Sequence, residues 1–179
     1  MAIYLNKDTK IIVQGITGTV GKVQSQLAIE YGTNIVCGVV PGKGGKTILN
    51  LPVYDTVREA VDEKGANASV IYAPAKAVKS AAEEAIMAGL KLIVIITEHV
   101  PISDTLKIRA LAREKEVVVI GPNCPGLLTP KIGKMGIIPG HAPSPGHIGI
   151  ISRSGTLAFE ATANLTAAGI GQSTIVGIG

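Results

Sequence analysis

Three glycines, at positions 15, 18 and 21, stand where the apolar run Ile11-Ile12-Val13 gives way to a helical pattern beginning at Thr19. A strand turning sharply into a helix aims unpaired backbone N–H groups and the positive end of the helix dipole at whatever lies above the turn. Phosphate is the natural occupant. The spacing is G-x-x-G-x-x-G, one residue wider at the first step than the dinucleotide fingerprint G-x-G-x-x-G. Glycine spacing alone fits two readings, a phosphate cradle and a bare tight turn.

A second group of residues bears on the choice. An NAD site asks for Asp or Glu at the end of the second strand, to hold the ribose 2′-hydroxyl. Here Val39-Val40-Pro41 occupies that place, followed by Lys43 and Lys46 in a flexible glycine loop. Two lysines suit an additional phosphate, so CoA (3′-phosphate) or NADP (2′-phosphate) fits better than NAD. The competing reading of the lysines is a solvated surface loop. A hydride-transfer enzyme would also need an acid or base near the nicotinamide, and Glu98 and His99 are the candidates.

Further along, Ser152-Arg153-Ser154-Gly155-Thr156 is another strand opening into a helix, hence a second anion site or a plain N-cap by Ser154. Gly149 and Gly155 are wrongly spaced about either serine for a G-x-S-x-G nucleophile elbow. Cys37 and Cys124 have no C-x-x-C spacing, which argues against a disulfide framework or a metal site and fits a reducing cytoplasm. Cys124 reads as a small packed residue in preference to a nucleophile. His99, His141 and His147 read as surface or structural residues.

Composition narrows the class. With 46% hydrophobic and 17% charged residues the 179-residue chain has the makings of a compact α/β protein. A net charge of +4, no Trp and a single Phe leave almost nothing for a nucleic-acid stacking platform. Leu92 to Ile96 typifies the longest apolar runs, too short to cross a bilayer. The N-terminus lacks the layout of a secretion signal.

The elements that must position these residues follow from the periodicity. Apolar strands are expected at 10–15, 34–40, 68–73, 91–97 and 117–121, with a short extended piece at 51–54. Helices are expected at 19–31, 56–64, 76–88 and 103–115. Strands alternating with amphipathic helices imply a parallel sheet covered on both faces, a doubly wound Rossmann-like fold over 1–122. Residues 123–146 are dense in Pro and Gly with little periodicity, and read as a connector. The pattern restarts at 147–179 with strand, helix and strand. A lone βαβ unit cannot bury both faces of its sheet, so the reading is a fragment or a unit completed by another chain.

Six segments together resemble the α subunit of succinyl-CoA synthetase (succinate–CoA ligase) and its relatives, the NDP-forming acyl-CoA synthetases. They are Gln14-Gly15-Ile16-Thr17-Gly18, Pro41-Gly42-Lys43-Gly44-Gly45, Ser69-Val70-Ile71-Tyr72-Ala73-Pro74-Ala75, Ile95-Ile96-Thr97-Glu98, Gly121-Pro122-Asn123-Cys124-Pro125-Gly126 and Ser152-Arg153-Ser154-Gly155-Thr156-Leu157.

The resemblance implies a CoA-binding domain followed by the first βαβ unit of a flavodoxin-like ligase domain. It implies CoA contacts from Thr17, Gly18, Thr19, Val20, Lys43, Ile96, Thr97 and Glu98, with Asn123, Cys124 and Pro125 near the CoA thiol. Ser152, Ser154, Gly155 and Phe159 would serve substrate or phosphate, Phe159 standing where relatives often carry Tyr.

The implied reaction belongs to the tricarboxylic acid cycle: succinate, CoA and ATP or GTP give succinyl-CoA, nucleoside diphosphate and phosphate through a phosphohistidine. That histidine is expected beyond Gly179, so the 179-residue chain by itself is expected to bind CoA without catalysing the reaction. The implied partner is a β subunit holding Mg-ATP or Mg-GTP, in a heterodimer or heterotetramer. Alternatives are a synthetase for another small acid, a stand-alone CoA-binding regulatory module and an NADP-dependent oxidoreductase.

Overall fold

The computed structural model describes residues 3–179. In chain order the elements are β1 (Ile11–Gln14), α1 (Thr19–Glu30), β2 (Ile35–Val39), β3 (Thr47–Ile48), β4 (Leu51–Tyr54), α2 (Val57–Lys64), β5 (Ala68–Ile71), α3 (Ala75–Met87), β6 (Leu92–Ile95), α4 (Ile102–Glu114) and β7 (Val118–Ile120). There follow β8 (Gly126–Thr129), β9 (Gly133–Gly136), β10 (Pro145–Ser152), α5 (Gly155–Ala167) and β11 (Gln172–Gly177).

The first sheet runs β3-β4-β2-β1-β5-β6-β7. Every neighbouring pair is parallel except β3 with β4, an antiparallel hairpin at the edge. Counting only the parallel strands in chain order, the sequence across the sheet is three-two-one-four-five-six, the doubly wound order. Its switch point lies between β1 and β5, whose residues are all buried. Strands covered on both faces must be apolar throughout, which is why they read as continuous Ile and Val runs.

The two faces of this sheet are covered differently. Ile12, Ile71, Ile93 and Ile95 face Val57 and Ala60 of α2, Val78 and Ala82 of α3 and Ile108 of α4. Each such side chain contributes about 1.5–3 kcal/mol on burial. The opposite face, with Val13, Val70 and Val94, packs on Ala28 of α1 and on Leu127, Met135 and Val176 of a second sheet. That sheet, ordered β10-β11-β8-β9, covers the part of the face that α1 leaves open.

The stretch 123–146, read from sequence as a connector, thus holds the hairpin β8–β9. Every residue of both strands is buried, so no alternation marks them. Gly126 and Gly136 take φ of +105° and +123°, and a Cβ at Gly126 would run into the carbonyl oxygen of Met135. Glycine is required there by both backbone and space, and it makes the text look like loop. The C-terminal βαβ unit is correspondingly larger than expected: β11 pairs antiparallel with β8, adding two strands from within this chain.

Candidate functional site

The turn after β1 sits at the switch point. Gly15 has φ +90°, and a Cβ there would stand 3.1 Å from the Tyr72 carbonyl carbon and 3.2 Å from the Ala73 nitrogen. A Cβ on Gly21 would run into the Gly15 carbonyl oxygen. These two glycines allow helix and turn to close on each other. Gly18 differs: its nearest neighbour would be 3.4 Å away, an ordinary contact. Gly18 is the N-cap of α1, and no side chain caps the helix. The first-turn amides of Thr19, Val20 and Gly21 are therefore left for a guest.

A groove of about 590 Å³ opens above this turn, walled by Gly15 to Gly21, Val39 to Pro41 and Tyr72 to Pro74. Lys43 does not line it but reaches its rim, where Nζ donates to Thr17 Oγ1 at 3.2 Å. The Lys43 loop is more firmly held than its glycines suggest. Gly44 N donates to Asp55 Oδ1 at 2.9 Å, Lys43 N to Val40 O at 3.1 Å and Gly45 N to Val53 O at 3.0 Å. Among the described residues no carboxylate lies within 4 Å of the Lys43 ammonium. Beneath the groove the buried Gln14 is fully engaged, donating to Ala81 O at 2.9 Å and accepting from Ser69 Oγ at 2.8 Å. That pair ties α3 to the sheet, a role invisible in the sequence.

Val20, Tyr72, Ala73 and Pro74 also line a larger cavity of about 1030 Å³, so the two adjoin. Here three expected groups come together: Ile96, Thr97 and Glu98 from the end of β6, Asn123, Cys124 and Pro125 from the following loop, and Ser154 and Gly155 at the start of α5. Thr97 Oγ1 donates to Ala73 O at 2.7 Å and Thr97 O accepts from Asn123 N at 2.9 Å, locking the loop ends to one another.

The Cys124 thiol donates to Ile95 O at 3.2 Å, and burial pushes it up to about 11. It is a neutral thiol at physiological pH, unsuited to nucleophilic attack. Ser154 Oγ accepts from Leu157 N at 3.2 Å, so the N-cap reading of this serine holds geometrically while its helix still faces the cavity. Ser152 stands behind it, accepting from Ser154 N at 3.1 Å and donating to Ser154 O at 2.9 Å, and does not line the cavity. Arg153 does line it, with Nε on Gly179 O at 3.2 Å.

Two further residues change the picture drawn from sequence. Phe159 is not at the cavity; its ring packs edge-on against His141, centroids 5.8 Å apart. Tyr72 lines both cavities and is the residue that sequence reasoning passed over as a site residue. Burial raises its hydroxyl pKa, and a Gly136 amide hydrogen bond opposes the shift. Its place just past β5, at the switch point, was the available signal. Among the described residues no histidine lines either cavity, and no His, Cys, Asp or Glu cluster could hold a metal ion. Among the described residues no helix is long and apolar enough to cross a membrane.

The model of the CoA binding domain matches residues 6–99, from the strand before the glycine turn through the end of β6. Over 179 residues the chain is 51% identical to the succinate–CoA ligase [ADP-forming] subunit alpha 2 of Archaeoglobus fulgidus, covering 100% of this chain and 62% of that one. Over 181 residues it is 51% identical to the corresponding subunit alpha of Aquifex aeolicus, covering 100% and 59%. The chain thus spans about 60% of the length of these curated relatives. A solved ATP citrate lyase from Methanothrix soehngenii, in complex with citrate and coenzyme A, shares the fold with a TM-score of 0.85 at 22% identity, over 99% of this chain and 32% of that one. With its glycine turn, switch-point groove and matched residues in register, the chain belongs to the CoA binding domain family.

Proposed function

We propose that this chain is the CoA-binding portion of a succinate–CoA ligase α subunit, with residues 1–122 as the coenzyme domain and the sheet of β8 to β11 as the beginning of the ligase domain. The observation that carries the reading is the pair of adjoining cavities that share Val20 and Tyr72 to Pro74 and together extend from the Thr17–Lys43 rim to the N-terminus of α5. An elongated ligand with a phosphorylated nucleotide at one end and a reactive group at the other matches a groove of that layout. The uncapped α1 turn holds a phosphate by backbone N–H groups and dipole. Lys43 supplies a cation for a further phosphate on the ribose. Thr97, Asn123 and Cys124 shape the wall along which the chain of the coenzyme reaches its thiol.

In this reading Ser154, Gly155 and Arg153 stabilise oxyanion charge near that thiol, α5 pointing its N-terminus there. Ile96 and Glu98 complete the coenzyme wall. Phe159, whose ring packs on His141 and not on the coenzyme site, is left without a ligand role in this reading. The acid–thiol ligation itself, of succinate with CoA at the expense of Mg-ATP or Mg-GTP, belongs to the complete α/β assembly, a heterodimer or heterotetramer. On this reading that assembly works in the cytoplasm, in the tricarboxylic acid cycle. Among the described residues no histidine lines the coenzyme site, and this reading gives the phosphohistidine role to none of His99, His141 and His147.

Calorimetric titration of the chain with CoA and with NADPH tests the proposal. Saturable heat with CoA and none with NADPH is expected; the reverse pattern would make the chain a nicotinamide protein.

A further inference from the structure

A third cavity, of about 420 Å³, lies against the C-terminal half of α1. Its walls come from Gln24 and Leu27 of α1, from Tyr31 at its C-cap, and from Lys134, Ile137 and His141 of β9 and the chain after it. Ile137 also lines the large cavity, so it alone stands as a shared wall.

Two groups in this cavity lack partners. Lys134 is only 4% exposed. Its main chain is clamped by Thr33, whose Oγ1 accepts from Lys134 N at 2.9 Å and donates to Lys134 O at 3.3 Å. Its ammonium, however, has no carboxylate within 4 Å among the described residues. Glu30 lines the same cavity, its Oε1 accepting from Gln26 Nε2 at 2.6 Å, but makes no ion pair with Lys134. Gln24 Oε1 is buried with no donor at all. Lys134 Nζ makes no hydrogen bond or ion pair among the described residues but is not sealed from solvent, whereas the Gln24 acceptor is both buried and unpaired, which is costly in a folded protein. A guest with a donor for Gln24 Oε1 would remove that cost, and its carboxylate would pair with Lys134. Leu27 and Ile137, exposed at 45% and 44%, offer such a guest an apolar wall.

We propose that this cavity is a binding site for a small organic carboxylate carrying a hydroxyl or N–H donor. The carboxylate pairs with Lys134, the donor bonds Gln24 Oε1, and the hydrocarbon part lies against Leu27 and Ile137. The site is separate from the coenzyme groove, so it serves a second small molecule and not a part of CoA.

Carbon-13 NMR of the full chain, labelled at lysine Cε, tests this with 2-hydroxybutyrate as the probe. The Lys134 resonance, assigned by its loss in Lys134→Met, is expected to move saturably with 2-hydroxybutyrate and not with butylammonium. Gln24→Leu, which sits on a helix and leaves Lys134 in place, is expected to erase the preference for 2-hydroxybutyrate over butyrate; that variant carries the test should Lys134→Met not fold. Affinity for 2-hydroxybutyrate read by calorimetry should fall at least tenfold in Lys134→Met, with CoA affinity unchanged. No saturable shift, equal affinity in Lys134→Met, or an unchanged preference in Gln24→Leu overturns the proposal. Inorganic phosphate binding as tightly as 2-hydroxybutyrate overturns it too, in favour of a simple anion site.

Discussion

Lys43 and Thr17 lie 26 residues apart, yet Lys43 Nζ donates to Thr17 Oγ1 at 3.2 Å across the mouth of the groove. The loop after β2 is thereby docked on the turn after β1, and a lysine charge is held beside an uncapped helix N-terminus. Thr17→Val keeps the branched shape and removes the acceptor. CoA affinity is expected to fall severalfold, in line with about 0.5–1.5 kcal/mol for one hydrogen bond, while the melting temperature stays put. Calorimetry together with a thermal melt reads both.

The glycines of the turn divide into those the packing needs and one it does not. Gly21→Ala drives a methyl into the Gly15 carbonyl, and the backbone must move. A loss of about 1–3 kcal/mol of stability, together with CoA binding, is expected. Gly18→Ala meets only an ordinary contact at 3.4 Å. It should cost less than about 1 kcal/mol, the N-cap preference for Gly over Ala, and so less than Gly21→Ala. Denaturant unfolding of the two variants compares them directly.

Both thiols are buried, Cys37 pushed up to about 12 and Cys124 to about 11 from an ordinary value of 9.0. Between those limits the unfolded chain loses thiol protons that the folded chain keeps. Fewer protons on the unfolded state means stability falls as pH rises above 9. The two thiols together add at most about 2.7 kcal/mol per pH unit to that fall. The stability of a Cys37→Ala/Cys124→Ala double variant, followed by chemical unfolding from pH 8 to 10.5, should decline less steeply than the parent's. Parallel curves would show that the thiols ionise freely in the fold.

Ser154 caps α5 through Leu157 N at 3.2 Å. Ser154→Ala is expected to cost about 1 kcal/mol and Ser154→Gly only a few tenths, both seen in the unfolding midpoint. Equal costs would mean the hydroxyl is not acting as a cap.

The coenzyme half of the molecule was legible because its chemistry is written locally. Strand, glycine turn and helix occupy one short run, and the missing acid after β2 with Lys43 in its place could be read off one loop. Asp55 was not legible, since the hydrogen bond that fixes Gly44 joins positions brought together only by the β3–β4 hairpin. The tip of that hairpin is Leu49-Asn50, both with positive φ, and not the Asn-Gly that announces such a turn. The β8–β9 hairpin hid for the opposite reason: glycines demanded by close strand packing look like loop. Phe159 was assigned a place by the resemblance alone, but the fold sets its ring against His141. Tyr72 needed the strand order, because only the switch point between β1 and β5 gives its position meaning.

The central claim is that the groove holds CoA by its nucleotide end, with Lys43 answering the ribose phosphate. Isothermal titration of CoA and of dephospho-CoA into the chain and into Lys43→Ala tests it most directly. The account predicts saturable CoA binding, roughly tenfold weaker binding of dephospho-CoA (~1.4 kcal/mol), and equal, weaker binding of both by Lys43→Ala. Equal affinity of the unaltered chain for CoA and dephospho-CoA would contradict it.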